Sequence, residues 1–238
     1  SIFDDKQLLE VITYPDNIAH YVNVDTTTLV GLKKADRLGL VESGLADVIA
    51  TPHVSLVTNL FINKMKTGRL FAMFRNPVQR AVAEFIELKD LLPEDPHFVP
   101  GLAHLQLYQY ALSTFVRENI LVRSLANITM PHPITEVHVE VAKKVLEHYV
   151  VVGLSENIEE SMERFFHYFG WAQEGDWKTC QTNFIAVRDY MKNDVIAVPV
   201  ESDEYSTLAD RNWADMQLYE HARHVYSKQA KLRPKLKR

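Results

Sequence analysis

The chain contains one cysteine, Cys180, which excludes an internal disulfide framework and any cysteine-rich metal site. No apolar run approaches the roughly 18 to 20 residues that a membrane-spanning helix needs, and Ser1 to Asp5 do not read as a signal peptide. Positive charge is not in excess. The net charge of -5 and a pI of about 6.1 create no overall basic field, so a nucleic-acid partner is not expected. Glycine is scarce, at 8 residues, and none lies in a phosphate-cradling loop. The nearest spacing, Gly39 to Gly44, runs on into Leu45-Ala46 where a lysine and a hydroxyl residue would be required, and Glu42 would turn a negative charge toward phosphate. The chain begins with serine instead of methionine, which raises the expectation of an upstream segment.

What is present is an ordinary globular composition, 47% hydrophobic and 24% charged over 238 residues, enough for one large core. We read residues 1–230 as a single domain and 231–238 as a basic tail. Ala19 to Asp25 alternate like a strand, and Thr26 to Thr28 can cap a helix running to about Leu38, closed by Gly39 and Gly44. Asp47 to Ala50 is a short apolar run, expected as a buried strand, and a short helix follows around Ser55 to Asn63. Arg69 to Phe74 is the best strand candidate. It passes through Asn76-Pro77 into a helix from about Val78 to Leu91, with proline near the first turn, where its missing N–H costs nothing. Leu105 to Asn119 and Ile134 to His148 read as amphipathic helices, and Tyr149 to Leu154 as a buried strand. Ser155 opens a helix with Glu159 and Glu160 near its positive end, continuing to Trp171. Asp194 to Glu201 is β-like, and Asn212 to Ala230 is a last helix. Alternating strands and helices predict an α/β fold with a mostly parallel sheet covered on both faces.

Arg75, Asn76 and Pro77 stand where the best strand turns into a helix. An arginine at the carboxyl edge of a strand, beside the N–H groups of a helix start, is suited to grip an anion through two bonds. The segment Gly68 to Phe85 resembles the strand-turn-helix of sulfotransferases that binds the 3′-phosphate of 3′-phosphoadenosine 5′-phosphosulfate. Thr51 to Leu56 looks like the stretch of uronic-acid 2-O-sulfotransferases that carries the catalytic histidine, and His53 precedes Arg75 by 22 residues, in keeping with that layout. Tyr149 to Glu156, Glu159 to Met162 and Tyr168 to Trp171 resemble further blocks of the family. Asn212 to Tyr219 resembles its closing helix. With Tyr21 to Thr28, the likeness is nearest to sulfotransferase-like proteins of algae and covers about residues 19–230.

The resemblance implies a P-loop NTPase-like sulfotransferase fold, N-terminally incomplete, and transfer of a sulfonate group to a hydroxyl, expected on a carbohydrate. It makes His53 the base, Arg75 the holder of the 3′-phosphate and Arg123 a second donor contact, with no metal required. The secretory lumen, or alternatively a plastid, would be the compartment. Two departures stand beside it. Ala83 occupies the position, eight beyond Arg75, where the family has a serine ligand, and the loop Pro-Lys-Ser/Thr-Gly that holds the 5′-phosphosulfate is absent. An alternative reading is therefore a non-catalytic subunit that keeps the fold and pairs with other protein chains. Acceptor contacts are expected in Pro93 to His104 and Gln173 to Thr182.

Several of these residues also have plainer readings. Arg75 can cap a helix or pair with a carboxylate, Arg80 can form a surface salt bridge, and His53 can be a satisfied polar group. Arg123 can end a helix by bonding carbonyls. His221 and His224, three apart, have no cysteine or clear carboxylate partner for a metal, and His132 sits between two prolines. Phe165 to Trp171 reads as core. Asn127-Ile128-Thr129 is a glycosylation sequon, meaningful in a secretory protein. The basic tail from Lys231 can be a solvated terminus or can meet an acidic partner or membrane surface.

Overall fold

The computed structural model describes residues 8–13, 20–61, 68–95, 97–171, 178–179, 181–183 and 198–232. The chain divides into two compact units, Ser1–Arg69 and Leu70–Arg238.

In the first unit, β1 (Val11–Thr13) pairs antiparallel with β2 (His20–Val22), with Ile12 opposite Tyr21. The expected strand over Ala19 to Asp25 thus exists in shortened form, and its partner is a neighbouring antiparallel strand. Ala19 itself lies outside the described residues. Thr28 caps α1 (Leu29–Arg37), its hydroxyl accepting the Gly31 N–H at 3.0 Å. Gly39 and Gly44, both at φ 67°, flank α2 (Leu40–Ser43) in the left-handed region open to glycine. Leu32, Ala35, Leu40 and Val41 pack with Val57 and Leu60 around α3 (Val54–Asn59). Asp47 to Ala50 is irregular instead of a buried strand, and Val48 is 48% exposed. What fixes it is a side-chain bond, from the Thr26 hydroxyl to the Ala50 carbonyl at 2.7 Å.

The second unit is built on β3 (Leu70–Phe74) and β4 (Val150–Leu154), paired in parallel with Phe74 opposite Leu154. Between them run α4 (Pro77–Lys89), α5 (Leu107–Leu112), α6 (Ile120–Ala126) and α7 (Glu136–Tyr149). A 3-10 turn (Ser155–Asn157) leads into α8 (Ile158–Phe169), closed by Gly170 at φ 78°. Then come α9 (Asp203–Arg211), capped by Ser202, and α10 (Trp213–Lys228), extended by a 3-10 turn (Gln229–Leu232). Helices and a small parallel sheet make the chain α/β. The described parallel sheet has two strands.

Side chains alternate across that sheet, as a pleated strand requires. Leu70, Ala72 and Phe74, with Val150, Val152 and Leu154, join the core of α6, α7 and α10. Phe71 takes the opposite face, its ring 5.1 Å from Phe165, 5.2 Å from Phe169 and 5.8 Å from Trp171. Gly153 lies on this face, where a Cβ would fall 2.7 Å from the Phe165 ring and 3.1 Å from the Met73 sulfur. All five residues of β4 are buried, which explains their uninterrupted apolar run.

The outer edge of β4 is closed by side chains. Gln229 accepts the Val152 N–H and donates to the Val150 carbonyl, both at 2.8 Å, acting as one residue of a third strand. The Ser161 hydroxyl accepts the Leu154 N–H at 2.9 Å and faces the Leu154 carbonyl at 3.1 Å. Among the described residues, such closure leaves no row of unpaired groups on that side for another chain to template on.

Three expectations change here. The helix expected over Leu105 to Asn119 ends at Leu112, because Ser113 leaves in extended backbone and Arg211 takes the carbonyls of Ala111 and Ser113. α6 and α9 are additional helices. Of the β-like stretch Asp194 to Glu201, residues 194–197 lie outside the described residues and 198–201 form coil and turn.

Candidate anion site at the carboxyl end of the parallel strands

β3 and β4 end in register, so Arg75-Asn76 and Ser155-Glu156 leave the sheet side by side. In open α/β sheets the carboxyl ends of parallel strands are where ligands bind. Arg75 is half-buried at this edge, immediately before α4. The local sequence favours the turn: proline at the first helical position has no N–H for a strand ladder and is pre-set for a helix start, and Asn76 supplies the cap.

Asn76 spends itself on that cap. Its Oδ1 accepts the N–H groups of Val78 at 3.0 Å and Gln79 at 3.2 Å, and its carbonyl accepts that of Arg80 at 2.9 Å. Pro77 has no N–H to offer. The first-turn N–H donors expected to help hold an anion are therefore already engaged. The Asn76 amide also donates to the Tyr205 hydroxyl at 3.3 Å. Ala83, half-buried on α4, offers no hydroxyl.

Arg80 is drawn inward. It pairs with Glu84 at 3.0 Å, with side chains only 16% and 11% exposed, so this is a largely buried ion pair where a surface one was anticipated. A second Arg80 nitrogen reaches the Arg117 carbonyl at 3.3 Å and Asn212 Oδ1 at 3.2 Å. Arg117 makes a close ion pair with the same Glu84. The Tyr110 hydroxyl is buried beside this group with no hydrogen-bond partner among the described residues, and burial, ahead of the nearby Glu84 carboxylate, pushes its pKa up to about 12.

Arg123 holds two backbone carbonyls, Glu118 at 3.2 Å and His132 at 2.8 Å. It lies on α6, whose N-terminus is tied to α10 by a polar lattice that the sequence reading did not single out. The Asp215 carboxylate accepts from Leu121 at 3.1 Å and Val122 at 2.9 Å, and Asn119 Oδ1 accepts from Ala214 at 3.0 Å and Asp215 at 3.2 Å. Asn212 Oδ1 takes the Asn119 N–H at 3.1 Å. Burial pushes the Asp215 carboxyl upward, against the two helix N–H groups and the charges of Arg80 and Arg123. Polar residues just ahead of apolar helical runs, Asn119 before Ile120 and Asn212 before Trp213, were the available signal.

On the β4 side of the site, Glu156 accepts a short hydrogen bond from the Tyr219 hydroxyl. Burial first, then that carboxylate, raises the Tyr219 pKa. A cavity of about 220 Å³ is lined by Glu159, Glu163, Gln181 and Thr182. Its two carboxylates make it unsuited to an anion.

His53 stands in the first unit as the residue before α3. Its N–H donates to the Thr51 hydroxyl at 3.0 Å, and its carbonyl accepts from Leu56 and Val57. His221 and His224 sit with ring centres 6.4 Å apart. Among the described residues, no group of three or more potential ligands is placed to hold a metal. No helix is long and apolar enough to cross a membrane among those residues. Of the expected acceptor segments, residues 93–95 and 97–104 are turns and coil, residues 178–179 and 181–182 are helical, and 96, 173–177 and 180 lie outside the described residues. Comparison with protein-family models, with curated proteins and with solved structures gave no match.

Proposed function

We propose that this chain is a sulfotransferase-like protein of P-loop NTPase-like architecture, and that Arg75 holds the 3′-phosphate of 3′-phosphoadenosine 5′-phosphosulfate. The observation that carries this reading is the Arg75 turn: a half-buried arginine at the carboxyl end of a parallel strand, followed at once by a capped helix. A guanidinium there can meet two phosphate oxygens in one plane. The donor supplies a sulfonate group, which passes to an acceptor hydroxyl as the bond from sulfur to the 5′-phosphate oxygen breaks. Positioning and charge stabilisation carry such a transfer. His53 takes the hydroxyl proton; that role rests on resemblance, and a neutral imidazole near pH 7 suits it. Arg123 as a second donor contact also rests on resemblance; its Nε and Nη1 hold the carbonyls of Glu118 and His132. A carbohydrate is the acceptor in this reading.

A second reading, a non-catalytic subunit joined to other protein chains, is favoured by two specific facts. Asn76 already consumes the first-turn N–H groups of α4, and Ala83 brings no hydroxyl. A transfer assay with radiolabelled donor and a panel of polysaccharides separates the two. The enzymatic reading expects label on a polysaccharide, abolished by His53→Ala; label on none of them, with the protein folded, favours the subunit.

A further inference from the structure

The sequon Asn127-Ile128-Thr129 is unused by the proposed function. Asn127 ends α6 at φ 57°, and both Asn127 and Thr129 are exposed. Its left-handed backbone is one that asparagine adopts readily at a helix end, so the fold accounts for the asparagine. It does not account for the threonine. Among the described residues, the Thr129 hydroxyl makes no hydrogen bond, and the residue enters the turn only through its carbonyl, which accepts from the His132 N–H at 3.1 Å. The turn itself is held from within. The Ile128 N–H donates to the Arg123 carbonyl at 2.9 Å, and the Arg123 guanidinium reaches on to the His132 carbonyl at 2.8 Å. A firm turn whose two sequon residues are exposed can carry a large polar group without displacing any core residue.

We propose that Asn127 carries an N-linked glycan. A hydroxyl two positions after asparagine, with no intervening proline, is what glycan transfer requires, and Ile128 satisfies the second condition. In the transfer, the Asn127 Nδ2 forms a bond to the anomeric carbon of a lipid-linked oligosaccharide. The bond from that carbon to the lipid pyrophosphate breaks, the pyrophosphate departs with its lipid, and Nδ2 gives up a proton. The turn after α6 therefore faces the lumen of a secretory compartment. This holds whether or not Arg75 binds nucleotide.

The test is peptide mapping of the full chain from the cells that make it. Trypsin releases Ser124 to Lys143, and the proposal expects this peptide only after peptide N-glycosidase treatment, with aspartate at position 127. The same peptide in untreated protein with an intact Asn127 overturns the proposal. As a second measurement, the full chain expressed behind a secretory leader should show a glycosidase-sensitive mobility shift. Asn127→Gln and Thr129→Ala should abolish it, and Thr129→Ser should keep it. A wild-type chain that is translocated and protease-protected yet shows no shift contradicts the proposal.

Discussion

Asn119 and Asp215 hold each other's helices. The Asn119 side-chain oxygen accepts the Asp215 N–H at the start of α10, while the Asp215 carboxylate accepts two N–H groups at the start of α6. Both residues are buried, at 4% and 0% exposure. Each helix start is thus satisfied by the other, and neither cap can be lost without loosening both.

Asp215→Ala leaves the Leu121 and Val122 N–H groups without acceptors in the core. An unpaired buried donor costs about 1 to 3 kcal/mol, so the variant should lose about 3 kcal/mol in urea unfolding. Asp215→Asn retains one acceptor oxygen and should lose less. Equal stability in all three proteins would mean that the reciprocal caps do not support the fold.

Gln229 substitutes for a strand at the edge of β4. Gln229→Ala removes the partner of the Val152 N–H and the Val150 carbonyl, at a cost of about 1 to 3 kcal/mol. The exposed edge should also promote self-association, seen as a concentration-dependent mass in light scattering. A monomeric variant of wild-type stability would show that the two Gln229 bonds contribute nothing.

Gly153 is the one residue of β4 that cannot acquire a side chain. A methyl group there overlaps the Phe165 ring, and overpacking of this kind costs about 1 to 3 kcal/mol. Gly153→Ala should lower the melting temperature, and the double variant Gly153→Ala, Phe165→Leu should recover part of the loss. No recovery would place the strain elsewhere.

His221 gives the fold a pH dependence. Its Nε2 is buried without a partner among the described residues, and burial holds its pKa below the ordinary 6.5. Glu147 of α7 opposes that shift, while Lys143 of α7 and His224 and Lys228 of α10 reinforce it. A histidine held neutral in the fold binds its proton more readily once unfolded, so stability is full above 6.5 and falls as the pH drops below it. His221→Leu should flatten that decline between roughly pH 7 and pH 5. An unchanged profile would assign the decline to other groups.

The elements with one clear period were legible in the sequence. Thr28 and Pro77 each marked a helix boundary that the structure keeps, and the unbroken apolar run of β4 correctly implied burial on both faces, whereas the helix expected to continue to Trp171 ends at Phe169, closed by Gly170. Asp47 to Ala50 misled because a short apolar run does not distinguish a strand from an irregular segment tied down by a threonine. The helix over Leu105 to Asn119 was overextended because Ser113 and Arg211 end it through a contact nearly one hundred residues apart in sequence. At the site, the Arg75 turn was visible locally, whereas the Asn119, Asn212 and Asp215 lattice depends on pairing between α6 and α10 that no local pattern encodes.

The central claim concerns one guanidinium, and calorimetry with adenosine 3′,5′-bisphosphate addresses it directly. Wild type should release or absorb heat on binding, Arg75→Ala should weaken affinity roughly 10- to 150-fold, the equivalent of one charge-assisted hydrogen bond, and Ala83→Ser should tighten it by a similar factor. An absence of binding by folded wild-type protein at about 1 mM nucleotide, or an Arg75→Ala variant that binds as wild type does, would contradict the account.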